Sequence, residues 1–409
     1  MNSDSRKKAF SLIILFGLVS LFGDIIYESA RSVNGPYLKT LGANAALVGL
    51  IAGIGEFLGY GIRFISGYFS DKTKAYWVFT FLGYAMLASV PLMALAGVWQ
   101  MAALFIVMER LGKAIRSPAR DTIVSQAVKQ VGTGFGFALI EMLDQIGAIA
   151  GPLIFGGLLM LAQVKAKTVN DYQFGYAFYW LPFVILMVCV YVAYRKVPDP
   201  AQLEGIPERP KPDKLSKVFW TYNLFTFLST AGFVNFILMG YHFKAKGLLT
   251  DPQIPFFYAI AMAVDAIAAL AIGKAYDLFK EKKKNELAGL YTLIFIPVAS
   301  IFIPFLAFSL SYKMIVVSVV LWGAVMGAHE TIMRSAIADI TPLKKRGTGY
   351  GIFNVGYGVA VFIGTALFGL LYDHSILAAS LVAAGFQIAA IVVFFTLKNQ
   401  AVKEASFTA

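Results

Sequence analysis

Cysteine is nearly absent from these 409 residues. Cys189 stands alone inside an apolar run, so an intrachain disulfide is excluded and a cage of thiolates has no donors. Histidine is almost as rare, at three residues, and no fixed His/Cys spacing of a metal site occurs. Charge is scarce too: Asp, Glu, Lys and Arg make up 14% of the chain, where soluble domains carry roughly 25%. The sequence shows no phosphate-cradling glycine loop or paired nucleotide motif, and no nucleophile–base set. A nucleotide-hydrolysing engine and an enzyme are therefore not expected, and neither is a bound cofactor.

What fills the space is apolar. Hydrophobic residues reach 58%, with a mean hydropathy of +0.71. About twelve long apolar stretches recur, at 10–31, 44–66, 75–97, 100–123, 133–162, 172–194, 216–243, 252–274, 287–310, 313–338, 347–372 and 375–397. A bilayer core takes ~20 apolar helical residues to cross, so lipid is the expected solvent and the chain reads as polytopic. Trp77, Trp99 and Trp180 fall near stretch ends, where interfacial tryptophan is common.

The formal net charge of +12 does not point to nucleic acid, because of where it sits. Basic residues cluster at Arg6 to Lys8, Lys72 and Lys74, Arg116 to Lys129, Arg195 to Lys217, Lys280 to Lys284, Lys344 to Arg346, and Lys398 with Lys403. Each cluster follows the last by one pair of stretches. That is the positive-inside pattern, and it places both termini in the cytoplasm. The basic start followed by an apolar run resembles a signal peptide, but Asp24, Glu28 and Arg31 interrupt it. An uncleaved first helix is expected.

The longest polar segment, 195–217, holds five prolines among mixed charges. It reads as a cytoplasmic linker between an N-terminal six-helix half (1–194) and a C-terminal half (218–409). The halves echo each other. Gly67, Asp71, Lys72 and Lys74 follow the second stretch; Gly273, Asp277 and Lys280 follow the eighth. Gly132, Gly134 and Gly136 open the fifth; Gly347, Gly349 and Gly351 open the eleventh. Parallel repeats of this kind imply a pseudo-two-fold axis along the membrane normal, with a substrate site between the halves.

On these residues the chain resembles transporters of the major facilitator superfamily. The loop signature Gly67, Asp71, Lys72 departs from the family pattern at Lys74, where the family has glycine. A second resemblance, Arg110 and Gly112 followed by Arg116, Pro118, Arg120 and Asp121, is to efflux-type members such as drug and metal exporters. The resemblance implies an all-α membrane fold of two six-helix bundles, alternating access and a monomer. It also implies that Arg110 tunes proton exchange with a nearby carboxylate.

Intramembrane charge is costly, so each such residue is a candidate. Asp24, Glu28 and Arg31 share a helical face. Asp24 lies roughly 21 Å along its helix at ~1.5 Å per residue, without a partner of its own there. A carboxyl group withdrawn from bulk water can exchange its proton near neutral pH. Glu28 and Arg31 can pair locally, or all three can merely anchor a helix end. Glu56 and Arg63 lie seven apart in a glycine-rich run, ~10.5 Å along the helix and too far for a direct bond. Glu56 can be a gate or half of a structural pair. Arg110 needs an anion, which Glu109, Glu141 or Asp144 can supply, either for coupling or as a static bridge. In the second half Asp265 stands among Ala and Ile, His329 is able to switch protonation, and Glu330 can pair with Arg334. Asn354, with Asn223, Asn235 and Tyr357, can line a pocket or bond between helices.

The loop residues Gly67, Asp71, Lys72, Arg116, Arg120, Gly273 and Asp277 are expected to act as a conformational gate. Asp71 would bond helix N-terminal amides or Arg116 or Arg120 in one state only. The alternative is a solvated surface turn. The favoured reading is proton-coupled export of a small cationic or amphipathic solute across a bacterial or archaeal plasma membrane. Alternatives are a divalent metal exporter, a symporter or anion transporter using Arg110 and Arg31, and a non-transporting membrane sensor.

Overall fold

The computed structural model describes residues 3–131, 133–161, 167–199, 215–283, 286–341 and 346–408. Among them the chain forms twelve long helical segments, numbered here in chain order. They are α1 (Ser3–Thr40), α2 (Ala45–Thr73), α3 (Tyr76–Leu95), α4 (Trp99–Val131), α5 (Thr133–Leu161) and α6 (Val169–Lys196), then α7 (Lys217–Ala245), α8 (Gln253–Lys283), α9 (Leu287–Ala307), α10 (Tyr312–Ile340), α11 (Arg346–His374) and α12 (Ile376–Thr408). Eleven are long and apolar enough to cross a membrane. The exception is α4, which carries Glu109, Arg110, Lys113 and Arg116 within two turns. Helix is the expected answer, since a chain in hydrocarbon must satisfy its own backbone.

Irregular backbone appears where the sequence forces it. α3 tightens into 3₁₀ turns at Met86–Ala88 and Met93–Leu95, on either side of Pro91. α7 is broken between Ala231 and Phe236. There Asn235 Oδ1 accepts from Ile237 N at 3.1 Å, and Trp322 Nε1 donates to Val234 O at 2.8 Å. The break therefore leaves no penalty at those two backbone groups.

The chain forms two compact units. Unit 1 takes Met1–Ala43, Ile54–Glu208 and Leu249–Ala259; unit 2 takes Asn44–Gly53, Arg209–Leu248 and Ile260–Ala409. Small residues let the helices of each unit approach closely. In unit 1 a methyl on Gly147 would sit 2.9 Å from Asp24 Cβ, and one on Gly112 would sit 2.7 Å from Gly83 O. A methyl on Gly55 would meet Arg110 Cγ at 3.1 Å. In unit 2 the sizes are exchanged: Gly327 of α10 makes room for Asp265 of α8, whose Oδ1 lies 2.8 Å from a methyl built there.

The loop residues are placed as follows. Gly67 lets α2 meet Pro118, 3.4 Å from a methyl there. Asp71 is exposed and accepts from Tyr76 Oη at 3.2 Å, not from Arg116 or Arg120 as the sequence suggested. The reason is position: Asp71 is at the exposed end of α2, while Arg116 is buried against α3, 4.8 Å over the Tyr84 ring. Arg120 bonds Asp121 at 3.0 Å and reaches Ser20 at 3.4 Å. Lys72 is exposed above Tyr68. Lys74 has φ 57°, the left-handed conformation that favours glycine. That explains why glycine is the usual residue at this turn, and it means this chain carries a small strain there.

In the other half Gly273 packs on Thr331, and Asp277 is exposed. The residue that ties this corner together is Asp339, unforeseen from sequence. It accepts from Tyr276 Oη at 2.7 Å and pairs with Lys280 at 3.0 Å. Arg116-Ser117 and Asp121 recur as Arg334-Ser335 and Asp339, a further echo between the halves. The expected Glu330–Arg334 pair falls on a side chain outside the described residues. So do Gly132 and 200–214 of the linker.

Candidate functional site

The unit 1 charges converge. On α1, Asp24, Tyr27, Glu28 and Arg31 occupy positions i, i+3, i+4 and i+7, one stripe of the helix. Asp24 and Glu28 are each 4% exposed. Arg31 Nη1 donates to Glu28 Oε1 at 2.9 Å, and its Nη2 reaches Glu56 Oε1 on α2 at 3.2 Å. The same Glu56 oxygen meets Arg110 Nη2 of α4 at 3.4 Å, and Arg110 Nε pairs with Glu109 Oε2 at 3.3 Å. Gly55 and Gly59 on α2 make this possible, because Arg110 lies directly against them. The other Glu28 oxygen accepts from Tyr258 Oη. Tyr258 belongs to the first turns of α8, which pack in unit 1.

A chain of charges thus runs from Tyr258 through Glu28, Arg31, Glu56 and Arg110 to Glu109. Each guanidinium touches two carboxylates, the arrangement a permanently charged group needs when buried. Seven residues kept Glu56 from Arg63, but α1 and α4 brought it two other arginines. Arg110 takes Glu109 and Glu56 as anions; Glu141 and Asp144 are not among its partners. Glu141 is exposed, with Gln145 Nε2 3.5 Å away.

Asp144 turns instead to α1, within side-chain hydrogen-bonding reach of Asp24. Gly147 and Gly151 let α5 press against Leu21, Ile25 and Ser29 of α1, which brings the two carboxyl groups together. A hydrogen bond between two carboxyl groups requires a proton on one of them. Lys113 of α4 completes the cluster, its Nζ 4.1 Å above the centre of the Tyr27 ring. It interacts electrostatically with Asp24 and Glu28. Lys113 was missed from sequence, although a charge in the fourth apolar stretch, three residues beyond Arg110, was the signal for it. Tyr27 was missed too, although its place on the Asp24–Glu28–Arg31 face pointed to it. Tyr258 carried no signal in the sequence.

Unit 2 is built differently. Asp265 is buried beside Gly327. His329 is buried and stacks on Phe233 at 5.0 Å, at the break in α7, and Phe233 stacks in turn on Trp322 at 5.7 Å. Tyr357 Oη lies 3.5 Å from His329 Nδ1, and Nε2 has no partner among the described residues. Glu330 is exposed and Asn354 half-exposed on their helices. Asn223 donates to Phe219 O at 2.8 Å, a bond within its own helix, and Asn235 caps the second part of α7. Among the described residues no three His, Cys, Asp or Glu side chains are grouped to hold a metal ion.

Twelve long helices, eleven of them apolar enough to cross a membrane, with a cluster of buried charges in unit 1, define a polytopic membrane transporter rather than an enzyme. The chain belongs to the Major Facilitator Superfamily, whose sequence profile matches residues 12–306 and 249–408. It is 36% identical over 397 residues to an uncharacterised protein of Mycobacterium tuberculosis, covering 95% of this chain and 93% of that one. It is 23% identical over 380 residues to an uncharacterised MFS-type transporter of Methanocaldococcus jannaschii, covering 91% and 92%.

Among solved structures, that of peptide transporter POT in complex with alafosfalin superposes with a TM-score of 0.73 at 15% identity, covering 99% of both chains. That of nucleoside transporter NupG gives 0.67 at 13%, covering 95% of this chain and 98% of the other. These identities speak to fold alone. They do not single out drug or metal exporters, so the efflux-type resemblance narrows to the superfamily. The protein is an integral, multi-pass secondary transporter of a small solute.

Proposed function

We propose that this transporter exports a small cationic or amphipathic solute in exchange for protons, and that Asp24 with Asp144 is the exchange site. The observation that carries the reading is the pair itself: two carboxyl groups on different helices, in hydrogen-bonding reach and enclosed by a glycine-closed contact. Such a pair holds one proton between its members and gives it up when a cation takes its place. The surroundings favour cations. Five acids, Asp24, Glu28, Glu56, Glu109 and Asp144, gather there with Arg31, Arg110 and Lys113, while Arg63 acts on Glu56 and Arg120 on Asp144 from the edge of the cluster. Arg31 and Arg110 are engaged by Glu28, Glu56 and Glu109, which leaves the anion-transport alternative without a free guanidinium in this cluster.

Arg110 then serves by fixing Glu56 and Glu109, so that the carboxyl pair is the part of the site open to exchange. One proton moving with the field gains ~2.3 kcal/mol per 100 mV, enough to bias a solute more than tenfold. The basic clusters support cytoplasmic termini, and the mycobacterial and archaeal relatives support a prokaryotic plasma membrane. The turns holding Asp71 and Asp339 are read as the gate that alternates between states.

The test uses proteoliposomes loaded with a pH-reporting dye. Organic cations that raise the melting temperature of the purified protein are then added. Solute addition should move protons in the opposite direction, and Asp24→Asn should remove that movement while the protein stays folded. Proton-driven flux at wild-type rate in Asp24→Asn would end the assignment.

A further inference from the structure

Resting on the reading above, we propose that Lys113 is a positioning residue for proton exchange: its ammonium group is the internal cation that replaces the proton at Asp24. Three observations lead there. Among the described residues Lys113 forms no hydrogen bond or ion pair, and its close contact is the Tyr27 ring face, 4.1 Å from Nζ. Arg31 and Arg110, its neighbours in charge, each hold two carboxylates. Tyr27 lies between Asp24 and Glu28 on the α1 stripe, so the lysine stands over a ring flanked by an acid on either side.

The two acids are not equivalent. Glu28 is occupied by Arg31 and Tyr258. Asp24 has another acid, Asp144, within hydrogen-bonding reach, with Glu28 and Lys113 as its other charged neighbours. While that pair holds a proton it carries a single negative charge, and the ring face is an adequate seat for the ammonium. When the proton leaves, two adjacent carboxylates draw the ammonium across on its flexible four-carbon stem. An incoming cationic solute would push it back to the ring. The lysine thereby keeps the pair from standing doubly charged between proton release and solute entry.

The charged and titratable groups around Lys113 and the carboxyl pair are Asp24, Tyr27, Glu28 and Arg31 from α1, Glu56 and Arg63 from α2, Glu109, Arg110 and Arg120 from the lysine's own helix, Asp144 from α5 and Tyr258 from α8. Tyr84 of α3 faces Arg116 instead.

Lysine methylation with ¹³C-formaldehyde of the full chain in nanodiscs, followed by ¹³C–¹H NMR, reads this directly and needs no solute. The Lys113 methyl signal is identified by its loss in Lys113→Arg. At low pH it should show the upfield displacement of a group over an aromatic ring, and Tyr27→Leu should remove that displacement. Between pH 5 and 9 the signal should move to the position of an ion-paired lysine. Asp24→Asn, or Asp144→Asn should the first misfold, should abolish the movement. A signal that stays ring-shifted throughout overturns the proposal. So does a transition that persists in both variants, which would report the lysine's own deprotonation. A fixed signal alongside proton-driven flux would remove Lys113 and leave the transport reading standing. A mobile signal without flux would do the reverse.

Discussion

Glu56→Gln tests whether the cluster is held together as its geometry suggests. One Glu56 oxygen lies 3.2 Å from Arg31 and 3.4 Å from Arg110. At an effective dielectric of ~20 each contact is worth roughly 5 kcal/mol before desolvation. The glutamine keeps the shape and removes the charge, leaving two guanidinium groups facing one another with one carboxylate partner each, Glu28 and Glu109. Breaking one partner out of a buried ion pair costs about 3–5 kcal/mol. Arg31 keeps some access to solvent, with 22% of its side chain exposed, so the lower end is expected: about 3 kcal/mol.

Equilibrium unfolding of the purified protein in mixed micelles would measure it. Arg110→Met should cost less in the Glu56→Gln protein than in the wild type, because there it also removes the like-charge repulsion that Glu56→Gln creates, while the loss of the Glu109 partner is common to both. A Glu56→Gln protein within about 0.5 kcal/mol of wild type, the range of ordinary surface substitutions, would refute the reasoning. So would a double variant whose losses simply add.

Three further outcomes are expected. Lys74→Gly should stabilise the α2–α3 turn by about 0.5–1 kcal/mol in the same assay, since φ 57° costs a side chain and not glycine; a loss of stability would show that the 3.4 Å Lys74–Tyr76 contact outweighs the strain. Gly147→Val should prevent a monodisperse protein from accumulating, because its first added carbon already meets Asp24 at 2.9 Å, while Gly61→Ala, with nothing within 4 Å, should behave as wild type; equal behaviour of the two would refute the α1–α5 packing. Tyr258→Phe leaves a Glu28 oxygen without its donor, at a cost of about 1–3 kcal/mol; amides in Leu249–Ala259 should exchange hydrogen faster, and unchanged exchange would show that the Tyr172–Asp251 bond at 2.6 Å alone anchors that segment.

The split between sequence and structure follows from range. Helix–membrane matching is local, so the apolar stretches mark all twelve helices, but not their polar ends: α1 runs Ser3–Thr40 against 10–31, and α12 runs Ile376–Thr408 against 375–397. α4 was found although its charges make it too polar for a simple hydropathy rule. The Glu28–Arg31 pair lies three residues apart on one helix and was equally legible. The turn at Lys74 was visible as a departure from the glycine of the family pattern, but only the backbone angle supplied its reason. Asp339 was missed because its partners, Tyr276 and Lys280, lie on another helix some sixty residues away.

The α1 stripe announced a charged face and could not say what faced it. That Glu56 would bridge two arginines, that Asp144 would leave Arg110 for Asp24, and that Lys113 would rest on Tyr27 were settled by which helices glycine lets together. The amino-acid order alone established a polytopic helical protein with costly charges in its spans, because burying an ion in hydrocarbon is expensive wherever it occurs. Only tertiary packing decided which charges neutralise each other and which acids come together, because those energies depend on separations of a few ångströms between residues far apart in the chain.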